Sequence, residues 1–355
     1  MSEPGTILVG DDHALGDVFA SVAEALRRRG HRVVRAPAAA APQHTVFRPD
    51  EWHSYFGEAE LALISSRTVL SADLLGWAPR LHGVVFGSIG TSSCDQAAAN
   101  QLGILVANGA TDENIESMAE ANVMLAAALL LELMPKRQWF DARLPRPASH
   151  EIESRMLAGK TVGFVGFGRI AQQTLRRLAG WRVGRVLAVT RTPRPDQWPQ
   201  VEFTDLVDLL RASDVVIVGL PLNNHTRGII GRSSIQSMRQ GGVLINTARG
   251  GLVDEVALAQ ALESGHLAAA AVDTFAEEPP PPDHPLRRAP NVILTGHIVG
   301  HTADLFASLV PAALDNIESL LAGRPPRYLV NPDTVSAWHA RRARLAAQLD
   351  HVRPR

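Results

Sequence analysis

The chain has 355 residues, 46% of them hydrophobic and 20% charged, which is enough for two cores of ordinary size within the globular range. Lys and Arg number 35 against 36 Asp and Glu, a net charge of -1, so no global field draws the molecule to nucleic acid or an anionic membrane, and any anion site has to be local. A single cysteine, Cys94, excludes an intramolecular disulfide framework and any CxxC motif, and it suits a reducing interior.

The amino terminus runs straight into a strand-like stretch, Thr6 to Val9, with no basic and then apolar leader, so a cytoplasmic protein is expected. From Ile7 to Val106 short apolar runs alternate with helical periods: Ile7 to Val9, Val18 to Arg29, Leu61 to Ile64, Ala72 to Gly76, Val84 to Phe86, Gln96 to Leu102 and Ile104 to Val106. That alternation predicts parallel strands linked by helices. A long helix is expected over Ile115 to Met134. Its apolar stretch, Val123 to Met134, falls short of the roughly 20 residues that cross a bilayer and contains Glu132, so it reads as a buried helix.

After Pro135, Pro145 and Pro147 the pattern repeats, with strands expected at Thr161 to Gly166, Arg185 to Thr190, Val215 to Val218, Val243 to Asn246, Ala270 to Asp273 and Val292 to Leu294. Five or six parallel strands make one doubly wound domain. A helix over Thr302 to Leu321 could return the chain to the first hundred residues. The end, Ala337 to Arg355, carries Arg341, Arg342, Arg344, Arg353 and Arg355, and reads as a solvated or interface helix or frayed end, or else as a partner-binding arm.

Thr161 to Ala171 reads TVGFVGFGRIA, an apolar strand running into Gly166, Gly168 and Ala171 at GxGxxA spacing. Gly166 permits the tight turn, Gly168 lets backbone approach a pyrophosphate, and Ala171 lets the helix pack closely on the strand. An acid at the end of the next strand would take a ribose 2'-hydroxyl; here stand Thr190, Arg191, Thr192, Pro193 and Arg194. The two arginines suit a 2'-phosphate, which predicts NADP(H) in preference to NAD(H), with NAD(H) still able to bind; a solvated basic loop is the alternative.

Three polar residues follow late strands: Arg249 in INTARGGLVDE, Glu278 in DTFAEEP and His297 in ILTGHIVGHT. Reduction of a 2-keto acid needs a fixed cation for the substrate oxygens, a proton donor and a carboxylate to hold that donor protonated. Arg, His and Glu supply these, although each taken singly could be a surface or structural residue.

With VGFVGFGRIA, ASDVVIVGLPLNNHTRGIIG (Ala212 to Gly231), GGVLINTARGGLVDEVALAQALESGHL (Gly241 to Leu267), DTFAEEP and NVILTGHIVGHT (Asn291 to Thr302), the chain resembles the D-isomer-specific 2-hydroxyacid dehydrogenases. This family includes glycerate, hydroxypyruvate and phosphoglycerate dehydrogenases. The resemblance extends to about Pro332. It implies an α/β protein in which a doubly wound (Rossmann) dinucleotide domain, residues 113–300, is inserted into a smaller flavodoxin-like substrate domain, residues 1–112 and 301–332, leaving 333–355 as a basic tail. It further implies hydride transfer between NAD(P)H and a small 2-keto or D-2-hydroxy acid.

In these terms Arg249 would anchor the substrate carboxylate, His297 would be the general acid and base, and Glu278 would orient the imidazole and favour its protonated form. Asp273 would contact the nicotinamide carboxamide, and Arg169, Ile170, Pro221 and Thr247 would also meet the cofactor. The substrate loop would be Gly87 to Ser93, with the amides of Ser88, Ile89 and Gly90 on the carboxylate, and Arg67 could reach a second anionic group or be a surface residue. No metal site is implied. The helix Ile115 to Met134 resembles the family's dimer element, so a homodimer is expected. Departures from the family's usual pattern are Ser88, Gly296 before the histidine and the extra imidazole of His301. A dehydrogenase of another oxyanion, such as phosphite, and a cofactor-sensing scaffold like the family's corepressors are the alternatives.

Overall fold

Five helix starts in this chain are written by side chains that satisfy first-turn amides. Ser71, Asp95, Asp205, Asp254 and Thr302 each accept a hydrogen bond from the N–H three residues on and open the helices Ala72–Trp77, Gln96–Leu102, Leu206–Ala212, Glu255–Glu263 and Ala303–Leu321. Between such helices lie strands that are apolar along their whole length, such as Val215–Val218, because both faces of a parallel sheet are covered. The computed structural model describes residues 4–37, 39, 43–151 and 153–352, the last four by backbone alone.

The chain divides into two units, Met1–Asn114 with Thr302–Arg355, and Ile115–His301. In the first, five parallel strands lie in the order Arg32–Arg35, Thr6–Val9, Leu61–Ile64, Gly83–Phe86, Leu105–Ala107. Numbered along the chain this is 2-1-3-4-5, the flavodoxin-like order. In the second, seven parallel strands lie in the order Glu202–Phe203, Arg185–Val189, Thr161–Val165, Val215–Val218, Gly242–Asn246, Leu267–Val272, Val292–Leu294. Here the order begins 3-2-1-4-5-6, the dinucleotide-binding order, and adds a seventh strand. It reverses between Thr161–Val165 and Val215–Val218, and ligands of such sheets bind at the carboxyl ends of the strands at this reversal.

Two strands of these two sheets escape the sequence pattern, as does a short parallel pair outside them, Thr45–Val46 with Thr68–Val69. Arg32–Arg35 has an arginine at each end and lies at an edge, and Glu202–Phe203 is too short to show a period. The expected single helix over 115–134 is instead two, Asp112–Leu130 and Leu133–Asp141, broken where Glu132 takes a left-handed φ of 54°. Only part of its apolar stretch is buried: Leu125, Ala126, Leu129 and Leu130 pack into the second unit's core, whereas Met124, Leu131, Leu133 and Met134 are exposed. Among the described residues no single helix is long and apolar enough to cross a membrane, and these two pass such a test only as a pair bent by 56°.

The end of the chain also differs from a basic tail. The helix Val335–Val352 buries Trp338 completely in the first unit, and the indole Nε1 donates to His82 Nδ1 at 3.3 Å. Arg341 donates to the carbonyls of Ala78, Leu81 and Leu102, two of which close helices, and Arg342 donates to the Leu321 carbonyl. Cations at helix carboxyl ends are favoured by the unpaired carbonyls there, so these charges are spent inside the unit. Arg353 and Arg355 lie outside the described residues. Cys94 is a buried free thiol, pushed up to about 12 by burial and the adjacent Asp95.

Candidate active site

The glycine-rich turn follows Thr161–Val165. Gly166 has φ +99°, and a Cβ there would lie 2.7 Å from the Gly219 carbonyl oxygen, so only glycine fits. A Cβ on Gly168 would meet nothing within 4 Å, which leaves the backbone open to approach. Gly168 is also the N-cap of the helix Arg169–Leu178, and it is a cap without a side-chain hydrogen bond. The first-turn amides are thus left to a ligand anion, and the residues present fit a dinucleotide pyrophosphate. Ala171 is buried against the sheet, Ile170 is half-buried, and Arg169 is exposed at the helix start.

On the neighbouring strand, Arg185–Val189, the chain leaves at half-buried Thr190 into exposed Arg191 and Arg194. The N–H groups of Gln197 and Trp198 both donate to the Arg194 carbonyl at 3.1 Å, closing a turn. The Trp198 ring then meets Phe167, the residue between the two turn glycines, at 5.3 Å and 90°, and the Arg176 guanidinium lies over the Trp198 ring, 5.5 Å from its centroid. Phe167 also packs edge-on to Phe203 at 5.8 Å. The arginine-bearing loop is therefore docked on the phosphate turn by aromatic contacts that spacing alone did not reveal. Pro221 is exposed and its carbonyl accepts from the Thr226 hydroxyl at 2.6 Å. Thr247 donates its hydroxyl to Asn122 at 2.9 Å, and the Asn122 amide reaches Thr174 on the phosphate-turn helix at 3.4 Å.

Arg249, Glu278 and His297 follow three strands that are neighbours in the sheet, Gly242–Asn246, Leu267–Val272 and Val292–Leu294. His297 Nδ1 lies 2.9 Å and 3.1 Å from the two oxygens of Glu278, so the carboxylate holds one ring nitrogen and leaves Nε2 for other partners. The imidazole is 42% exposed and the carboxylate 31%. His297 sits in a left-handed conformation, φ 62°, held by its N–H to the Asp273 carbonyl at 2.7 Å. Non-glycine residues adopt that region only when their surroundings enforce it.

Those surroundings centre on Asp273. Its Oδ1 accepts from the Thr295 hydroxyl at 2.6 Å and from the N–H groups of Ile298 and Val299 at 2.9 and 3.1 Å. Besides any contact with the nicotinamide, Asp273 thus anchors the histidine loop, and Thr295, which the sequence reading passed over, is its partner.

Burial pushes the Glu278 carboxyl up, but the hydrogen bond and charge of His297, the Phe275 N–H and Arg249 outweigh it and hold the group below its ordinary value. Burial draws the Arg249 guanidinium below its usual value, with Glu278 opposing; arginine stays cationic regardless. His301 is held below the usual imidazole value by partial burial and by His297, with Asp273 opposing. It favours its neutral form beside the acid–base pair.

The expected substrate residues belong to the first unit, where they follow the strands Leu61–Ile64 and Gly83–Phe86. Arg67 and the loop residues Ser88, Ile89 and Gly90 are half-buried. The Ser88 carbonyl accepts from Gly109 N–H at 3.0 Å and the Ile89 carbonyl from Asn108 Nδ2 at 2.9 Å, which fixes the loop's course. The hydroxyls of Ser88 and Ser93 are buried without a hydrogen-bond partner.

A dinucleotide-binding sheet with a cation, a carboxylate and an imidazole at adjacent strand ends defines a nicotinamide-dependent oxidoreductase. A family model described as the NAD binding domain of D-isomer specific 2-hydroxyacid dehydrogenases matches residues 123–299. The chain is 34% identical to the glyoxylate reductase of Aeropyrum pernix over 285 residues, 78% of this chain and 84% of that protein. It is 32% identical to the D-3-phosphoglycerate dehydrogenase of Archaeoglobus fulgidus over 274 residues, 77% of this chain but 51% of that one, so it spans about half the relative's length. The structure of a 2-hydroxyacid dehydrogenase from Ketogulonicigenium vulgare matches with a TM-score of 0.75 at 27% identity, covering 93% of this chain and 99% of that one. The chain belongs to the D-isomer-specific 2-hydroxyacid dehydrogenase family. It is an enzyme that exchanges hydride between NAD(P)H and 2-keto or 2-hydroxy acids.

Proposed function

We propose that the chain reduces a small 2-keto acid to the D-2-hydroxy acid, with NADP(H) preferred and NAD(H) accepted, through Arg249, Glu278 and His297. The observation that carries this reading is the pair of His297 Nδ1 and Glu278 at 2.9 Å, half-exposed at the sheet's ligand end. The bound nicotinamide supplies the hydride that reduces the carbonyl carbon. Arg249 pairs with the substrate carboxylate and draws charge onto the carbonyl oxygen. His297 Nε2 gives its proton to the nascent alkoxide, while Glu278 stabilises the charged ring before transfer; in oxidation the roles reverse. The amides of Ser88, Ile89 and Gly90 take part in carboxylate binding, and Arg67 suits a second anionic substituent.

Cofactor preference rests on Thr190, Arg191 and Arg194, since no acid repels a 2'-phosphate there. Asp273, Arg169, Ile170, Pro221 and Thr247 complete the proposed cofactor contacts. A homodimer suits the exposed apolar residues Met124, Leu131, Leu133, Met134 and Phe140, the last 76% exposed. A cytoplasmic setting suits the buried free thiol of Cys94. The test is a spectrophotometric screen of glyoxylate, hydroxypyruvate, pyruvate and branched and aromatic 2-keto acids with both reduced cofactors, and of phosphite with both oxidised ones. Oxidation of NADPH by at least one keto acid, faster than that of NADH, is expected; turnover of phosphite alone would overturn the substrate class.

A further inference from the structure

A second histidine–glutamate pair lies in the same unit, apart from the Arg249, Glu278 and His297 set. His284 Nε2 is 2.9 Å from Glu255 Oε2, and the two side chains are 10% and 11% exposed. A buried carboxylate is costly unless its oxygens are paired, and this one is used on both. The other oxygen, Oε1, accepts from the Ala276 N–H at 2.8 Å. The preceding amide, Phe275 N–H, donates to Glu278 Oε1 at 3.0 Å. Adjacent amides of one dipeptide thus bind two carboxylates, one in the proton-transfer pair and one in the buried pair.

Three further contacts make this dipeptide a fixed point. A Cβ on Gly250 would lie 1.9 Å from the Phe275 carbonyl carbon and 2.2 Å from the Ala276 nitrogen, so the dipeptide backbone lies flat on the residue that follows Arg249. The Phe275 ring meets the His284 ring at 5.6 Å and 86°. Arg287 donates to the carbonyls of Pro281 and Pro280 at 2.9 and 2.8 Å, which fixes the proline-rich loop that carries His284. Any shift of Phe275 and Ala276 therefore moves Glu278 relative to His297 and presses on the Arg249 turn together.

We propose that Glu255 and His284 are positioning residues of the hydride-transfer site: their buried pair holds the Phe275–Ala276 backbone and thereby sets Glu278 against His297. This rests on the reading of Glu278 and His297 as the acid–base pair. Misplacement of a proton-transfer group by a fraction of an ångström costs turnover without touching the cofactor site, and two groups acting through one geometry are not additive.

The test is a double-mutant cycle on kcat with the best keto acid from the screen, using Glu255→Ala, Glu278→Gln and the pair, with cofactor Kd and the unfolding midpoint measured alongside. Glu255→Ala should lower kcat on the order of 10-fold and move the alkaline limb of the rate to lower pH, with cofactor Kd nearly unchanged. Glu255→Gln, which keeps an acceptor for the Ala276 amide, should recover most of that loss. In the Glu278→Gln background the same Glu255→Ala change should cost less than about twofold. Should Glu255→Ala fail to fold, His284→Gln reads the same cycle. A wild-type kcat in Glu255→Ala, or a full multiplicative loss in the double variant, overturns the proposal. A Glu278→Gln enzyme with wild-type turnover overturns the acid–base reading and this inference with it, and is told apart by appearing in the single variant.

Discussion

The two histidine–glutamate pairs of the second unit have the same nitrogen–oxygen separation, 2.9 Å, yet they stand in opposite surroundings. In one, His297 keeps 42% of its side chain open and is held in a left-handed backbone conformation by Asp273. In the other, His284 is buried between Phe275 and Glu255, with no comparable opening. Distance alone therefore does not mark a proton-transfer site. What does is a ring edge left open to a substrate, a strained backbone held there by its neighbours, and a cation such as Arg249 nearby. The closed pair suits the maintenance of geometry.

The comparison breaks most sharply at the open pair. His297→Asn should cut turnover on the order of 10²-fold or more, because it removes a proton donor acting in the transition state, while cofactor Kd stays near the wild-type value. Retention of more than about a tenth of wild-type turnover would show that another group donates the proton.

Glu278→Gln comes next, with a loss on the order of 10-fold or more and a changed pH profile. The hydrogen bond and charge of His297 help hold the Glu278 carboxyl below its ordinary value, so a carboxylate faces the ring at 2.9 Å across the neutral range. Removal of the carboxylate should move the alkaline limb of reduction to lower pH. An unmoved limb would mean that the two side chains are uncoupled.

Arg191→Ala sharpens the contrast between chemistry and recognition, because it should leave kcat alone. It should raise the KM for NADPH on the order of 10-fold and that for NADH little, with the gap narrowing as salt is added. Equal weakening of both cofactors would make the Thr190 to Arg194 segment a solvated loop.

The smallest effect on activity is expected in the first unit. Burial, then Arg342 and Arg341, push the His82 imidazole from 6.5 down to about 3. The folded chain therefore excludes a proton that the unfolded chain accepts. The sign follows: stability is complete above the unfolded value and is lost as pH falls from about 6.5 toward 3, at about 1.4 kcal/mol per unit at most. His82→Gln should flatten that window in urea unfolding without altering turnover at neutral pH; an unchanged acid slope would assign the loss to other groups.

Much of this was legible in the sequence because the signals were local. GxGxxA, the apolar strands and the segments around Arg249, Glu278 and His297 are short patterns whose meaning the sheet order preserves. The rest depended on contacts far apart in sequence. Glu255 lies inside the same RGGLVDE run as Arg249, yet its partner His284 is 29 residues away and its amide target 21. Phe167 and Trp198 look like ordinary core residues until their rings are seen to dock the arginine loop. Likewise, a row of arginines after Ala337 reads as solvated until Trp338 and the carbonyls of Ala78, Leu81 and Leu102 are found beneath it.

The most direct measurement is oxidation of the separated enantiomers of glycerate and lactate, followed through nicotinamide absorbance with NADP and with NAD, for the wild-type enzyme and His297→Asn. Reduction of the cofactor by the D enantiomer of at least one acid, not by its L form, and lost in His297→Asn is the expected result; oxidation of the L enantiomer, or a D signal that survives in His297→Asn, would contradict it.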